Sequence, residues 1–286
     1  MKPVYYVLLL LVLTQCSGVG KMRIDTWSAS MDDDAKILRQ VLEQFAGEKQ
    51  TPSGELMVKI GNFFLETPYV ASTLETDGDE RLVINLREMD CTTFAENCLA
   101  LTKTIQSTKP GLEQFTHELA KIRYRDSKIN GYTSRLHYTT DWIFDNQQKN
   151  LLKDVSKEIA EIPYVKTINF MSTHPDSYRH LKNNAMLVAE MAHIEKNITQ
   201  RQYYYIPKEK LAEVESDLND GDIAGLTTSI NGLDVSHMGI LIRKDKRIHL
   251  LHASTSAKKV VLSRETLEEY LKNSKSVTGI IVARPL

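Results

Sequence analysis

The feature that most restricts how this chain can fold is a change in the period of its apolar residues near Gly221. Before that point apolar side chains recur three and four apart, as on one face of a helix; beyond it they alternate with polar ones in short runs, as in half-buried strands. Asp32 to Glu48 carries Ile37, Leu38, Val41, Leu42 and Phe45 at helical spacing behind an acidic start, and residues 54–66 continue in that style. The β-branched run Arg81 to Leu86 predicts a strand, and Thr92 to Gln106 a helix that Cys91 begins. Gly111 to Asn197 is mainly helical in pattern, interrupted by the polar, aromatic-rich stretch Tyr124 to Trp142, which reads as a binding loop. Strands are expected at Ile223 to Thr228, Val235 to Ile242, Arg247 to Ala253, Lys259 to Leu262 and Gly279 to Ala283, with a short helix from Glu265 to Lys272. Helices first and an antiparallel sheet second make an α+β fold.

With 286 residues, 42% of them hydrophobic, the chain is long enough to bury a substantial core. Its 36 basic and 37 acidic residues nearly cancel and are interspersed. The basic stripe of a nucleic-acid binder is missing, and no nucleic-acid partner is expected. Met1-Lys2-Pro3 followed by the apolar run Val4 to Leu13 has the form of a secretory signal and falls short of the about 20 residues that span a bilayer. Leu13-Thr14-Gln15-Cys16-Ser17-Gly18 resembles a lipoprotein cleavage box, with Gln15 where a small residue is usual. Residues 1–20 therefore read as a signal peptide, with a possible membrane anchor through lipidated Cys16. Either form of processing puts the mature protein outside the cytoplasm, in the periplasm or on the outer membrane of a Gram-negative bacterium. Residues 21–286 are expected to form one catalytic domain, with a helical insertion over residues 108–200.

Export favours disulfides. Yet Cys91 and Cys98, seven residues apart on one helix, would have Cα atoms about 10 Å apart, beyond a disulfide's reach. Two free thiols in an exported protein call for another role. Cys91 begins a helix, where unpaired amides and the backbone dipole favour a thiolate; Cys98 sits inside the helix and reads as core. An imidazole to take the proton, and a third polar group to orient it, are best held on strands. His237 lies in one strand and His249 and His252 in the next. A lone strand histidine or a lone helix-start cysteine is ordinarily structural; their combination in an exported chain is what points to catalysis. The spacing of these residues matches no zinc finger or metalloprotease pattern, so no metal is expected.

Thr67-Pro68-Tyr69-Val70-Ala71, Met89-Asp90-Cys91-Thr92-Thr93-Phe94, Gly221-Asp222-Ile223, Ser236-His237-Met238-Gly239-Ile240 and Leu251-His252-Ala253-Ser254 resemble, in order, the motifs of the NlpC-type papain-like cell-wall cysteine hydrolases. The resemblance implies a papain-like α+β fold with the nucleophile at a helix N-terminus packed on the sheet. It implies Cys91 as nucleophile, His237 as base and His252 as the residue that orients it, with no cofactor. His249 competes for the third role, although strand alternation puts it on the opposite face from His252. The stretch Tyr124 to Trp142 resembles the signature of an N-acetylmuramoyl-L-alanine amidase-like branch, in which the insertion shapes the cleft. Arg135, with its planar fork, and the flat rings of Tyr138 and Trp142 suit a muropeptide's carboxylate and sugars. His137, Asp141 and Ser236 join them as candidate substrate-binding residues. The implied reaction on peptidoglycan is cleavage of the amide between N-acetylmuramic acid and L-alanine. Tyr69 and Asp90, which in related endopeptidases grip a free amino end, keep cleavage between D-glutamate and the diamino acid open. A noncatalytic peptidoglycan-binding lipoprotein is the third reading.

Overall fold

The computed structural model describes residues 29–286; the signal segment and Cys16 lie outside the described residues. Three helices open the described chain, α1 (Ala29–Gln44), α2 (Ser53–Phe63) and α3 (Cys91–Gln106), followed by α4 (Leu112–Arg123) and α5 (Thr139–Gln148). Then come β1 (Leu152–Asp154), α6 (Ser156–Ala160), β2 (Ile162–Tyr164), α7 (Phe170–Thr173), α8 (Ala185–Thr199), β3 (Tyr203–Pro207) and α9 (Leu211–Val214). The C-terminal part holds β4 (Ile223–Thr228), β5 (Val235–Lys244), β6 (Arg247–Ser254), β7 (Lys259–Leu262), α10 (Leu267–Asn273) and β8 (Val277–Pro285). Among the described residues no helix is long and apolar enough to cross a membrane.

The strands form one antiparallel sheet in the order β2-β3-β8-β4-β5-β6-β7, with β1 paired beside β3 on β8. Alternation along the strands gives the sheet two apolar faces. Ile240, Ile242, Leu251, Ala253 and Ile281 pack against the side chains of α1 to α5. Leu241, Leu250, Ala224, Leu226 and Val282 pack against Leu267 and Leu271 of α10. A small third cluster, with Tyr132, Tyr138, Ile168, Met171, Leu181, Met191 and Ile198, lies within the segment between α4 and β3. The stretch from Gly111 to Asn197 was expected to be mainly helical, interrupted by a loop; it also holds the strands β1 and β2, and β3 follows it. Each is only three to five residues long and takes its partners from β8 or from another of the three, so nothing local marks it as a strand.

The strand expected at Arg81 to Leu86 does not form. Its backbone groups are satisfied by side chains in place of a ladder. The Leu86 amide donates to Asp34 Oδ1 at 2.8 Å, the Asn97 amide nitrogen to the Asn85 carbonyl at 3.1 Å, the Arg123 guanidinium to the Val83 carbonyl at 2.6 Å and the Tyr124 hydroxyl to the Arg81 carbonyl at 2.9 Å. Leu82, Ile84 and Leu86 pack on the core from an extended loop, and Arg123, which ties that loop down, is itself paired with Glu96 of α3 at 2.7 Å.

Candidate active site

Strands β5 and β6 pair from Lys244↔Arg247 as far as Ile240↔Leu251 and then splay. Beyond that point β5 continues on β4, with Leu226 opposite His237, while β6 continues on β7, with Val261 opposite His252. The two strands therefore diverge from a common root and leave a wedge between them. Close approach at the root depends on Gly239, where a Cβ would lie 2.6 Å from Leu250 Cδ1 and 3.0 Å from the Leu251 carbonyl oxygen. Only a residue without a side chain lets the wedge start there.

Across the wedge His237 Nε2 lies 2.6 Å from His252 Nδ1, with the rings nearly perpendicular at 83°. One of the two nitrogens carries the proton of this bond. If it is His237 Nε2, then His237 Nδ1 is left with a lone pair and His252 keeps its own proton on Nε2. Burial pushes both imidazoles down, His237 to about 3 with the neighbouring His252 as a lesser cause, and His252 to about 4 against the opposing pull of Glu265. Both rings are neutral at physiological pH. His249 lies away from this pair, its Nδ1 3.1 Å from the Ser263 carbonyl, and anchors the loop after β7. The pairing assigns the bond to His252, not His249.

Cys91 opens α3 beside this pair. Asp90 is the N-cap: its Oδ1 accepts from the Thr93 amide and hydroxyl, both at 2.8 Å, and Thr93 Oγ1 accepts from the Asp90 amide at 2.9 Å, which closes a capping box. The amide of Met238, next to His237, is near enough to the Cys91 sulfur to favour its thiolate, which sets the thiol by the histidine strand. The thiol was expected to be acidified by the helix N-terminus. It is instead pushed up to about 11, by burial first and by the Asp90 carboxylate second, against the smaller favourable contributions of the Met238 and Thr92 groups. The resting pair is thus a neutral thiol beside a neutral imidazole. Cys98 is fully buried, and both cysteines are free.

Tyr69 is strapped beside the thiol by backbone bonds on both sides, its amide donating to the Lys258 carbonyl at 2.9 Å and Met89 donating to the Pro68 carbonyl at 3.0 Å. Burial raises its phenol, and the charges of Cys91 and Asp90 add to the shift. Tyr270 of α10, which no sequence motif singled out, sets its ring edge-to-face on His252 with centroids 5.5 Å apart.

The remaining expected site residues have a different character. Trp142, Tyr138 and Asp141 are buried to 2% exposure or less. Asp141 is clamped by Arg125 at 2.7 Å and Arg201 at 2.6 Å, and the Tyr138 hydroxyl donates to Glu195 at 2.6 Å. Arg135 is also buried, donating to Glu75 at 2.6 Å and lying over the Tyr132 ring. His137 contacts the Tyr132 carbonyl at 2.9 Å and its ring. Asp141, Tyr138, Arg135 and His137 thus bond to neighbouring residues of the scaffold, while Trp142 Nε1 and Arg135 Nε are buried without a hydrogen-bond partner. Ser236 is exposed and is the extra residue where the β4–β5 register slips between Leu226↔His237 and Thr227↔Val235. Among the described residues no group of three His, Cys, Asp or Glu is placed to hold a metal ion.

Residues 59–280 match the AmiA-like family model, described as N-acetylmuramoyl-L-alanine amidase-like. The crystal structure of an N-acetylmuramoyl-L-alanine amidase from Bacteroides uniformis is 44% identical, covers 82% of this chain and 99% of its own, and superposes with a TM-score of 0.79. A Bacteroides fragilis structure named as a candidate xylanase is 45% identical over 79% of this chain and 99% of its own, with a TM-score of 0.76. A Legionella pneumophila protein of the DUF1460 family shares the fold at 21% identity, over 90% of this chain and 97% of its own, with a TM-score of 0.66. No curated protein matches the chain.

Proposed function

The chain belongs to the N-acetylmuramoyl-L-alanine amidase-like family, and from that premise we propose that it is a cysteine amidase, papain-like in arrangement, that hydrolyses the amide between N-acetylmuramic acid and L-alanine in peptidoglycan fragments. The observation that carries this reading is the 2.6 Å bond from His237 Nε2 to His252 Nδ1, in a wedge opened beside the Cys91 thiol. With the proton of that bond on His237 Nε2, His237 Nδ1 is the proton acceptor for the sulfur. Because thiol and imidazole both rest neutral, proton transfer accompanies attack: the Cys91 proton moves to His237 as sulfur bonds to the amide carbonyl carbon. The Thr93 and Phe94 amides are taken by Asp90, while the Cys91 amide opens the helix and faces the developing oxyanion. Collapse breaks the C–N bond, and His237 returns its proton to the departing amine. Water, deprotonated by His237, then cleaves the thioester and the proton goes back to sulfur.

The relative named as a candidate xylanase raises glycoside cleavage, which needs two opposed carboxylates. The cluster here offers a thiol and two imidazoles, and the Asp90 carboxylate is occupied as a helix cap. Export and anchoring through Cys16 complete the proposal, since the substrate lies outside the cytoplasm. Replacing Cys91 by Ala tests the chemistry: hydrolysis of a muramyl-L-alanine substrate is expected to vanish while the protein stays folded, and retained activity would overturn the reading. Labelling of Cys16 with a fatty-acid analogue in cells, lost in Cys16→Ser, tests the anchor.

A further inference from the structure

We infer that Asp234, which no sequence motif singled out, is a positioning residue for His237: it fixes the bulge at Ser236 that turns His237 toward His252, and it fastens that bulge to the first turn of α5. The inference rests on the amidase reading of Cys91 and His237. The bulge shows in the packing as well as in the register. Val235 and Met238 are three residues apart and would point to opposite faces of a regular strand, yet both pack in the apolar cluster formed with α1 to α5. The extra residue between them reconciles the two. Without it His237, two residues on from Val235, would share the core-facing side of Val235, and Met238 would leave the core. The direction of the His237 ring therefore depends on where the bulge is held.

Asp234 stands at the near edge of the bulge and is 1% exposed. Its Oδ1 accepts from the Val235 amide at 2.7 Å, and its Oδ2 accepts from the Thr140 amide at 2.7 Å and the Thr140 hydroxyl at 2.8 Å. Its carbonyl accepts from the Tyr164 hydroxyl at 2.7 Å and from the Thr228 amide of β4 at 3.2 Å. Helix α5 has Tyr138 at its N-cap, with no side-chain cap of its own, so Asp234 supplies from the start of β5 the acceptor that an uncapped first turn lacks. The helix start also rests on the strands. At Gly225, opposite Met238, a Cβ would lie 3.0 Å from Thr139 Cγ2 and 3.2 Å from Val235 Cγ2. A carboxylate suits this place because every group aimed at its two oxygens is a donor. An asparagine would have one accepting oxygen and would turn its NH₂ group toward the donors of Val235 or Thr140. One buried side chain thus joins the strand that carries His237 to the insertion that follows α4.

The experiment compares wild type, Asp234→Asn, Thr140→Val, Thr140→Ser, Asp141→Asn and Cys91→Ala at one pH, 7.5, above the range in which buried neutral imidazoles cost stability. Long-range ¹H–¹⁵N spectra of ¹⁵N-histidine-labelled protein read the tautomer of His237, kcat and KM on a muramyl-L-alanine substrate are taken per folded molecule, and urea midpoints report stability. Wild type is expected to hold His237 in one tautomer. Asp234→Asn should mix its tautomers and lower kcat by about tenfold or more, with KM within about twofold, as a misdirected base would. Thr140→Val, which removes one donor to Oδ2, should act in the same direction by about threefold in kcat, and Thr140→Ser, which keeps the hydroxyl, should restore both readouts. This pair carries the test if Asp234→Asn does not fold. Asp141→Asn, the next residue of α5, loosens the insertion at another point and should lower the urea midpoint while His237 keeps one tautomer and kcat. A single tautomer with unchanged kcat in Asp234→Asn, or in Thr140→Val where only that variant folds, would overturn the inference, and so would equal losses in Asp141→Asn. An inactive Cys91→Ala would leave the amidase reading standing in either case, and an active Cys91→Ala would overturn both.

Discussion

The buried pair Glu96–Arg123 ties the helix carrying Cys91 to the loop that did not become a strand, and the cost of breaking it can be worked out from its surroundings. Arg123 Nε donates to Glu96 Oε2 at 2.7 Å, both side chains are 2% exposed, and a second guanidinium nitrogen donates to the Val83 carbonyl at 2.6 Å. Arg123→Met leaves a buried carboxylate without its partner, a loss of about 3–5 kcal/mol. It also leaves the Val83 carbonyl without a donor, which costs about 1–3 kcal/mol more. Burial already raises the Glu96 carboxyl, with the Arg123 charge pulling the other way. Without Arg123 the carboxyl is raised further and protonates more readily, which recovers part of the loss. A net cost of about 4 kcal/mol at pH 7 follows, or a fall in Tm of about 10 °C for a chain of this size. A carboxyl raised in the folded state binds its proton more tightly there than in the unfolded chain. The deficit of Arg123→Met should therefore shrink as pH is lowered and grow as it is raised. Urea unfolding of Arg123→Met, Glu96→Leu and the double variant closes the cycle, with a coupling of at least about 2 kcal/mol expected because two apolar groups of similar size leave no charge unpaired. Additive effects, or an Arg123→Met cost under about 1 kcal/mol, would refute the claim that this pair anchors the loop.

His252→Ala should lower kcat by about 10²–10³-fold, since His237 loses the bond that fixes its tautomer, while Ser236→Ala, altering an exposed side chain, should stay within about twofold of wild type. Asp141→Asn should destabilise the protein by about 3 kcal/mol in urea, with little change in KM for the material that remains folded, because Arg125 and Arg201 lose their shared charge; a raised KM with unchanged stability would return Asp141 to the substrate site. His137 and His237 are pushed down to about 3 and His252 to about 4, each mainly by burial. The unfolded chain thus takes up protons from about pH 6.5 downward that the folded chain refuses, so this contribution to stability is intact above pH 6.5 and is lost as pH falls toward 4. Urea midpoints measured between pH 7.5 and 4.5 should fall steadily, and a flat profile would contradict the burial of neutral imidazoles.

The strands β4 to β8 and helices α1 to α3 were legible because each carries its own period over enough residues, whereas a pairing such as Ile223↔Ala283 comes from positions far apart in sequence. Cys91 and His237 were singled out from residue type and position, and strand alternation put His252 and His249 on opposite faces. Arg81 to Leu86 misled because β-branched residues signal an extended backbone, and whether a ladder or side chains such as Asp34, Asn97 and Arg123 satisfy that backbone is decided from distant positions. The aromatic run Tyr203-Tyr204-Tyr205 could have marked β3, but it pairs with Ile162 to Tyr164 of β2, while Ile206 and Pro207 meet β8 at Ile280 and Gly279. The insertion's polar and aromatic residues were read as a binding surface from their chemistry alone. Burial inverted that reading, because Asp141, Tyr138 and Arg135 find partners in Arg201, Glu195 and Glu75, at positions the local pattern does not reveal. Tyr270 was invisible for the same reason: its role comes from the packing of α10 on β6.

The central claim is tested most directly by mass spectrometry of purified muropeptides incubated with residues 21–286, with the Cys91→Ala protein as the blank. Free disaccharide and an intact stem peptide beginning at L-alanine, formed by the wild type and not by the variant, is the result this account predicts. A disaccharide still carrying L-alanine and D-glutamate would make the protein an endopeptidase, and no cleavage by either protein would leave it a peptidoglycan-binding protein.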